Sequence, residues 1–85
     1  MQKRIFPIWH NDKKIFYTDW SNLSDDLDSI AAIEETTNFI VELAEYNLLE
    51  IIDVRGSYTS STVLKALKNS AKITKPYSKK KLWLV

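Results

Sequence analysis

The chain has no cysteine, one glycine, two prolines and a single histidine among its 85 residues. Without cysteine there is no disulfide staple, no thiolate metal site and no cysteine nucleophile. The one histidine, His10, abuts Asn11-Asp12, and nothing near it supplies the nucleophile and orienting carboxylate that a catalytic imidazole needs. There is no glycine-rich phosphate cradle, no nucleophile elbow and no zinc-ligand spacing. The sequence therefore argues against an enzyme and calls for no cofactor. No apolar run approaches the ~20 residues needed to span a bilayer. The start, MQKRIFPIWH, is basic but lacks the uninterrupted apolar stretch and small-residue cleavage site of a signal peptide. The expectation is a cytoplasmic protein that inserts in no membrane.

What is present is ordinary in amount and unusual in arrangement. A hydrophobic fraction of 45% and a charged fraction of 27% suit a globular chain. A single domain of this length buries roughly 60–65% of the surface its unfolded form exposes, an adequate but thin core. The net charge of +1 hides a segregation of charge along the chain. From Ile15 to Asp53 the charged residues are all acidic: Asp19, Asp25, Asp26, Asp28, Glu34, Glu35, Glu42, Glu45, Glu50 and Asp53. From Val54 to Val85 they are all basic: Arg55, Lys65, Lys68, Lys72, Lys75, Lys79, Lys80 and Lys81. Such asymmetry suits a polyanion-binding tail. The bases nevertheless fall in helical register, so the reading preferred is an acidic and a basic helix lying side by side.

Arg4–His10 and Lys13–Thr18 are short runs of β-branched and aromatic residues around Asn11-Asp12, which predicts a hairpin. Pro7 suits an edge strand, because it cannot donate to a ladder. From Ser24 to Tyr46 the period becomes helical, with Leu23, Leu27, Ile30, Ile33, Thr37, Ile40, Val41 and Ala44 on one face. Ser24 or Asn22 can cap that start, and Asp25, Asp26 and Asp28 suit the positive end of its dipole. A lesser stripe of Phe39, Leu43 and Tyr46 needs cover from the hairpin or another chain. Leu48–Val54 reads as a central parallel strand, and Gly56 as a turn. Ser60–Thr74 predicts a two-faced helix, with Val63, Leu64, Leu67 and Ala71 apolar and Lys65, Lys68, Lys72 and Lys75 opposite. Pro76 ends it. Leu82–Val85 is a strand or the end of a helix.

The expected fold is α/β: a small mixed sheet, made of an N-terminal hairpin plus parallel strands, with two crossover helices in the order β-β-α-β-α-β. Right-handed crossovers put the ends of the second and third strands on one rim, where Asp19, Asp53 and the loop 55–62 would meet. Open α/β sheets commonly place their ligand or partner site at such a rim.

The joint EIIDVRGSYTSSTVLKALKNSAK, residues 50–72, resembles the anti-anti-sigma-factor family (SpoIIAA-like, STAS). In that family a central strand ends in an Asp-x-x-Gly-like turn. A loop then leads to a serine pair opening the next helix, where a serine can be phosphorylated to control a protein partner. Asp53-Val54-Arg55-Gly56 matches the turn, and Ser60-Ser61 stands in place of the serine pair. Thr59 and Thr62 replace the flanking Asp and Gly. The segments KKIFYTDWSNL and KPYSKK are similar to those of small STAS-like and CRAL-TRIO-like proteins. The resemblance implies one STAS-like domain over residues 1–85, shortened by the family's last strand–helix pair.

Taken with the residues, this implies a non-catalytic protein-interaction or regulatory domain that works through Asp53, Arg55, Gly56, Tyr58, Ser60 and Ser61. Asp53 and Gly56 would shape the loop, Arg55 would attract an anion or phosphoserine, and Tyr58 would be an exposed anchor. Ser60 and Ser61 are also the natural caps of the second helix. As phosphorylation sites they would have Arg55 and Lys65 nearby. Asp19 and Asp53 could jointly hold Mg²⁺, but aspartates at strand ends more often tie down turns, and no metal is assigned. Phe6, Trp9, Phe16, Tyr17 and Trp20 read as hairpin and core packing rather than a ligand cage. One alternative is a module binding a small apolar, lipid-like ligand beneath the first helix, as CRAL-TRIO-like relatives would imply. Another is polyanion or nucleic-acid binding through the basic helix with Lys79–Lys81, Tyr77 and Trp83. An uncovered sheet edge and the Phe39/Leu43/Tyr46 stripe together predict a homodimer.

Overall fold

The fold was obtained as a computed structural model that describes residues 4–85. The elements run in the expected order: β1 (Ile5–His10), β2 (Lys13–Asp19), α1 (Asp26–Leu43), β3 (Leu48–Asp53), α2 (Ser61–Thr74) and β4 (Ser78–Leu84). They build one mixed sheet with strand order β1-β2-β3-β4, in which β1 is antiparallel to β2 and the other pairings are parallel. The hairpin turns at Asn11 and Asp12, both at positive φ, as a two-residue turn between twisted strands demands. Pro7 lies on the edge strand. Helices α1 and α2 pack against each other on one face of the sheet, and among the described residues no helix lies over the side chains of the opposite face.

The core has three levels. Toward the carboxyl ends of the parallel strands, Trp20, Leu23, Ala32, Ile33, Ile52 and Val63 pack together. At the other end, Ile5, Phe16, Ile40 and Leu48 form a second cluster, joined by Phe39, Leu43 and Tyr77. Between them runs a buried polar belt of Thr18, Thr36, Thr37, Glu50, Ser70 and Thr74. Burial there is tolerated because the helical hydroxyls bond to their own turns: Thr36 to Ala32 O, Thr37 to Ile33 O and Thr74 to Ser70 O. Thr37 and Ser70 also share a hydrogen bond of 2.5 Å, which joins the two helices. Glu50 is 6% exposed, and its Oε2 has no hydrogen-bond partner within the described chain. A cavity of about 20 Å³ beside it has room for one water.

The belt corrects several sequence expectations. In α1 the buried face is Ser29, Ala32, Ile33, Thr36, Thr37 and Ile40, which leaves Leu27 80% exposed and Val41 facing solvent. In α2 it is Val63, Ser70 and Thr74, with Leu64 and Ala71 turned outward. Asp25, rather than Ser24 or Asn22, caps α1, accepting from Asp28 N at 2.7 Å. Helix α1 ends at Leu43, with Ala44 in the left-handed region at φ 52°, so Ala44 and Tyr46 lie beyond it. Of the Phe39/Leu43/Tyr46 stripe, Phe39 and Leu43 are partly covered within the chain, Phe39 meeting Phe16 edge-on, whereas Tyr46 stacks on Tyr77 yet stays 66% exposed. The acidic and basic helices do lie side by side. No ion pair links them among the described residues, however; the pairs present are Lys14–Glu45 and Arg55–Asp53. The last strand is longer than Leu82–Val85 and takes in Lys79–Lys81. Of the hairpin aromatics, Phe16 and Trp20 are core residues, whereas Phe6 and Trp9 are exposed.

Candidate functional site

The carboxyl rim is assembled from two loops laced together. Asp19 and Asp53 lie opposite each other at the ends of β2 and β3. Beyond them, Trp20 N donates to Asp53 O, Asn22 N to Arg55 O and Tyr58 N to Leu23 O. Ser57 closes the lacing, because its hydroxyl donates to Trp20 O and accepts from Leu23 N. Gly56 has φ +75°, and a Cβ at that position would overlap Asn22 Oδ1. Glycine is thus favoured there by backbone conformation, and any other residue would also have to displace the Asn22 side chain.

The carboxylates at this rim are already engaged. Asp19 accepts from Ser21 N and Ser21 Oγ, an aspartate that ties down its own turn. Asp53 takes a two-pronged contact from Arg55, Nε and Nη2 both at 2.9 Å, and accepts from Tyr17 Oη at 2.6 Å. The Arg55 bonds, followed by that of Tyr17, hold the Asp53 carboxyl well below the usual range. The same pairing raises the Arg55 guanidinium, and the Asp53 bond raises the Tyr17 phenol. The anion-attracting role expected of Arg55 is therefore largely met by its neighbour two residues back.

A similar closure occurs at the start of α2. Ser60 is the cap, accepting from Val63 N at 3.1 Å, and it donates to Asp26 Oδ1 at 2.6 Å. Tyr58 Oη donates to the same Asp26 oxygen. The bonds from Ser60 and then Tyr58 lower the Asp26 carboxyl, and the reciprocal bond raises the Tyr58 phenol. Asp26, on the first turn of α1, thus holds a negative charge near the α2 N-terminus, where an external anion was expected. Ser61 is the first residue of α2 and is exposed.

Behind this polar edge lies an apolar recess of about 330 Å³ between the loop and the two helix starts. Its floor and walls are Trp20, Leu23, Ile33, Val63 and Leu67, and its mouth is bordered by Arg55, Gly56 and Tyr58. A concave apolar space with a few fixed polar groups at its mouth is the usual build of a binding site. Tyr58, which lines it, is itself 41% exposed.

Of the expected site residues, Arg55, Gly56 and Tyr58 meet at the recess, Asp53 supports it from behind, and Ser60 anchors the loop to α1. Asn22, Leu23, Asp26 and Ser57 belong to the site without having been expected there. The readable trace of that half was the Ser-Asn pair in DWSNL, a composition prone to left-handed turns, and Asn22 has φ 57°. His10 sits at the hairpin turn, at the opposite end of β2 from the rim, beside Asn11 Nδ2. The described residues contain no group of three or more His, Cys, Asp or Glu side chains placed to hold a metal. Nor is any of their helices long and apolar enough to cross a membrane. Strand alternation divides the lysines of β4, with Lys80 on the open face and Lys81 bonded to Thr74 on the helix side, so they form no single basic patch. Comparison with protein-family models, with curated proteins and with solved structures finds no match for this chain.

Proposed function

We propose that the chain is a non-catalytic interaction or regulatory domain of the STAS kind, and that a protein partner docks at the carboxyl rim. The observation that carries this reading is the open apolar recess of about 330 Å³, set between the loop 55–59 and the first turns of both helices. Its volume accepts one large apolar side chain of a partner. Tyr58 stands exposed at its mouth. The internal pairing of Arg55 with Asp53, and of Ser60 and Tyr58 with Asp26, favours an apolar anchor over a phosphate-led one, since these charges are already answered. The networks keep the loop in one conformation, which lowers the ordering cost of docking.

A photo-crosslinking residue placed at Tyr58 tests this in the source cells. A discrete heavier adduct is expected from position 58, and none from the same probe at Lys72 on the exposed face of α2. No adduct at position 58, or equal adducts at both positions, would remove the proposal. The recess also favours a second reading, a small apolar ligand held beneath α1. Organic extraction of the purified protein followed by mass spectrometry separates the two: a carrier releases a stoichiometric apolar compound, and an interaction domain releases none.

A further inference from the structure

We infer that the helix-free face of the sheet is a self-association surface on which a second copy of this chain packs face to face. The face is arranged in rows across the strands. Ile8, Ile15, Leu49 and Lys80 form one row, and Phe6, Tyr17, Ile51 and Leu82 the next. Asp19, Asp53 and Leu84 follow toward the rim. Seven of the eight side chains in the two middle rows are apolar or aromatic, yet no helix among the described residues covers them. Phe6 and Leu82 remain 42% and 56% exposed.

Relief on this face suits a copy of itself. The Phe6 and Tyr17 rings stack at 5.4 Å between centroids and form a ridge. Beside it, Ile15, Leu49, Ile51 and Leu82 line a shallow trough of about 270 Å³. A two-fold axis lying between the middle rows and running across the strands places each ridge over the row of Ile8 and Ile15 in the other copy. It also turns each Lys80 toward the other copy's rim and away from its Lys80. An axis along the strands would instead stack the basic ends of the two faces. Closed pairs of this kind are isologous, each patch meeting itself.

Size and the state of the edges point the same way. Four strands at ~4.8 Å spacing make a plate of about 19 by 20 Å. Two such plates cover about 380 Å² each in projection and, with side-chain relief counted, remove roughly 1,000 Å² from water, the size of a weak, reversible pair. Edge-to-edge pairing, by contrast, is blocked on both sides. Pro7 removes a donor from β1. β4 carries consecutive lysines and a bulge at Lys79, since Ser78 pairs with Leu48 and Lys80 with Leu49. The homodimer expected from an open sheet edge is thereby moved to the sheet face.

Analytical ultracentrifugation of the whole chain up to about 200 μM tests this, with Leu82→Glu as the principal variant. The wild type should sediment as a dimer. Leu82→Glu should raise the dissociation constant by at least about 30-fold, with an unchanged far-ultraviolet spectrum. Lys72→Glu, on the exposed face of α2, should leave the dimer intact. If Leu82→Glu does not fold, Phe6→Glu decides on the same criterion. A wild type that stays monomeric at the highest concentration overturns the inference. So does a dimer that withstands a folded Leu82→Glu or Phe6→Glu substitution.

Discussion

Replacing Gly56 by alanine probes the junction on which the rim is built. Gly56 sits at φ +75°, where an L side chain costs about 1–2 kcal/mol of backbone strain. The new methyl would also overlap Asn22 Oδ1, so Asn22 must move. Displacing it adds roughly 1 kcal/mol, of the order of a forced side-chain rotamer. Gly56→Ala should therefore lower stability by about 2–3 kcal/mol in urea unfolding at 25 °C, with an unchanged m-value. The two contributions separate in the Asn22→Gly background. That substitution suits the φ of 57° at position 22 and removes the obstructing oxygen. There Gly56→Ala should cost only the backbone strain, about 1–2 kcal/mol, and the difference between backgrounds is the coupling energy. Equal losses in both backgrounds would show that the Asn22 approach carries no weight. A fully stable Gly56→Ala protein would refute the strained turn itself.

Other perturbations follow from the same packing. Trp20→Ala removes a ring that is 6% exposed, together with its bond to Thr36 Oγ1, and should cost about 3–5 kcal/mol, read as a melting temperature lower by about 15 °C or more. Ala44→Gly relieves a left-handed alanine at the end of α1 and should raise stability by about 0.5–1 kcal/mol in the same urea assay. Asp53 and Asp26 both have carboxyls lowered by their hydrogen bonds, so their stabilising contribution is complete above the unfolded carboxylate value near pH 4 and is lost as pH falls below it. Urea midpoints measured from pH 6.5 to pH 3 should show this loss, and Arg55→Ala should make the profile flatter below about pH 4.

Order and topology were legible in the sequence because each element carries a strong local signal. Runs of β-branched and aromatic residues marked the strands, Asn11-Asp12 marked the hairpin, and Ser60 and Pro76 bracketed α2. Helix orientation was not legible. A search for apolar stripes sends Leu27, Val41 and Leu64 inward and, Thr37 apart, leaves the hydroxyl residues outward. Here Ser29, Thr36, Thr37, Ser70 and Thr74 are buried, their hydroxyls answered by their own helices or across the helix pair. Glu50 was equally hidden, since an acid that interrupts an apolar run gives no sign that it points into the core. At the rim, the Asp53–Gly56 turn was readable from its residues. Its counterparts Asn22, Asp26 and Ser57 are more than thirty residues from the groups they meet, and that pairing exists only once β2 and β3 are aligned.

An amide and indole NMR titration with a small aromatic hydrocarbon such as butylbenzene shows whether the rim holds an accessible apolar socket. Saturable shifts should appear at the Trp20 indole N–H and the amides of Gly56, Tyr58, Val63 and Leu67, with Lys72 and Ile73 unmoved. Shifts confined to Ile15, Leu49 and Leu82 on the opposite face, or no saturable shift at Trp20, would contradict it.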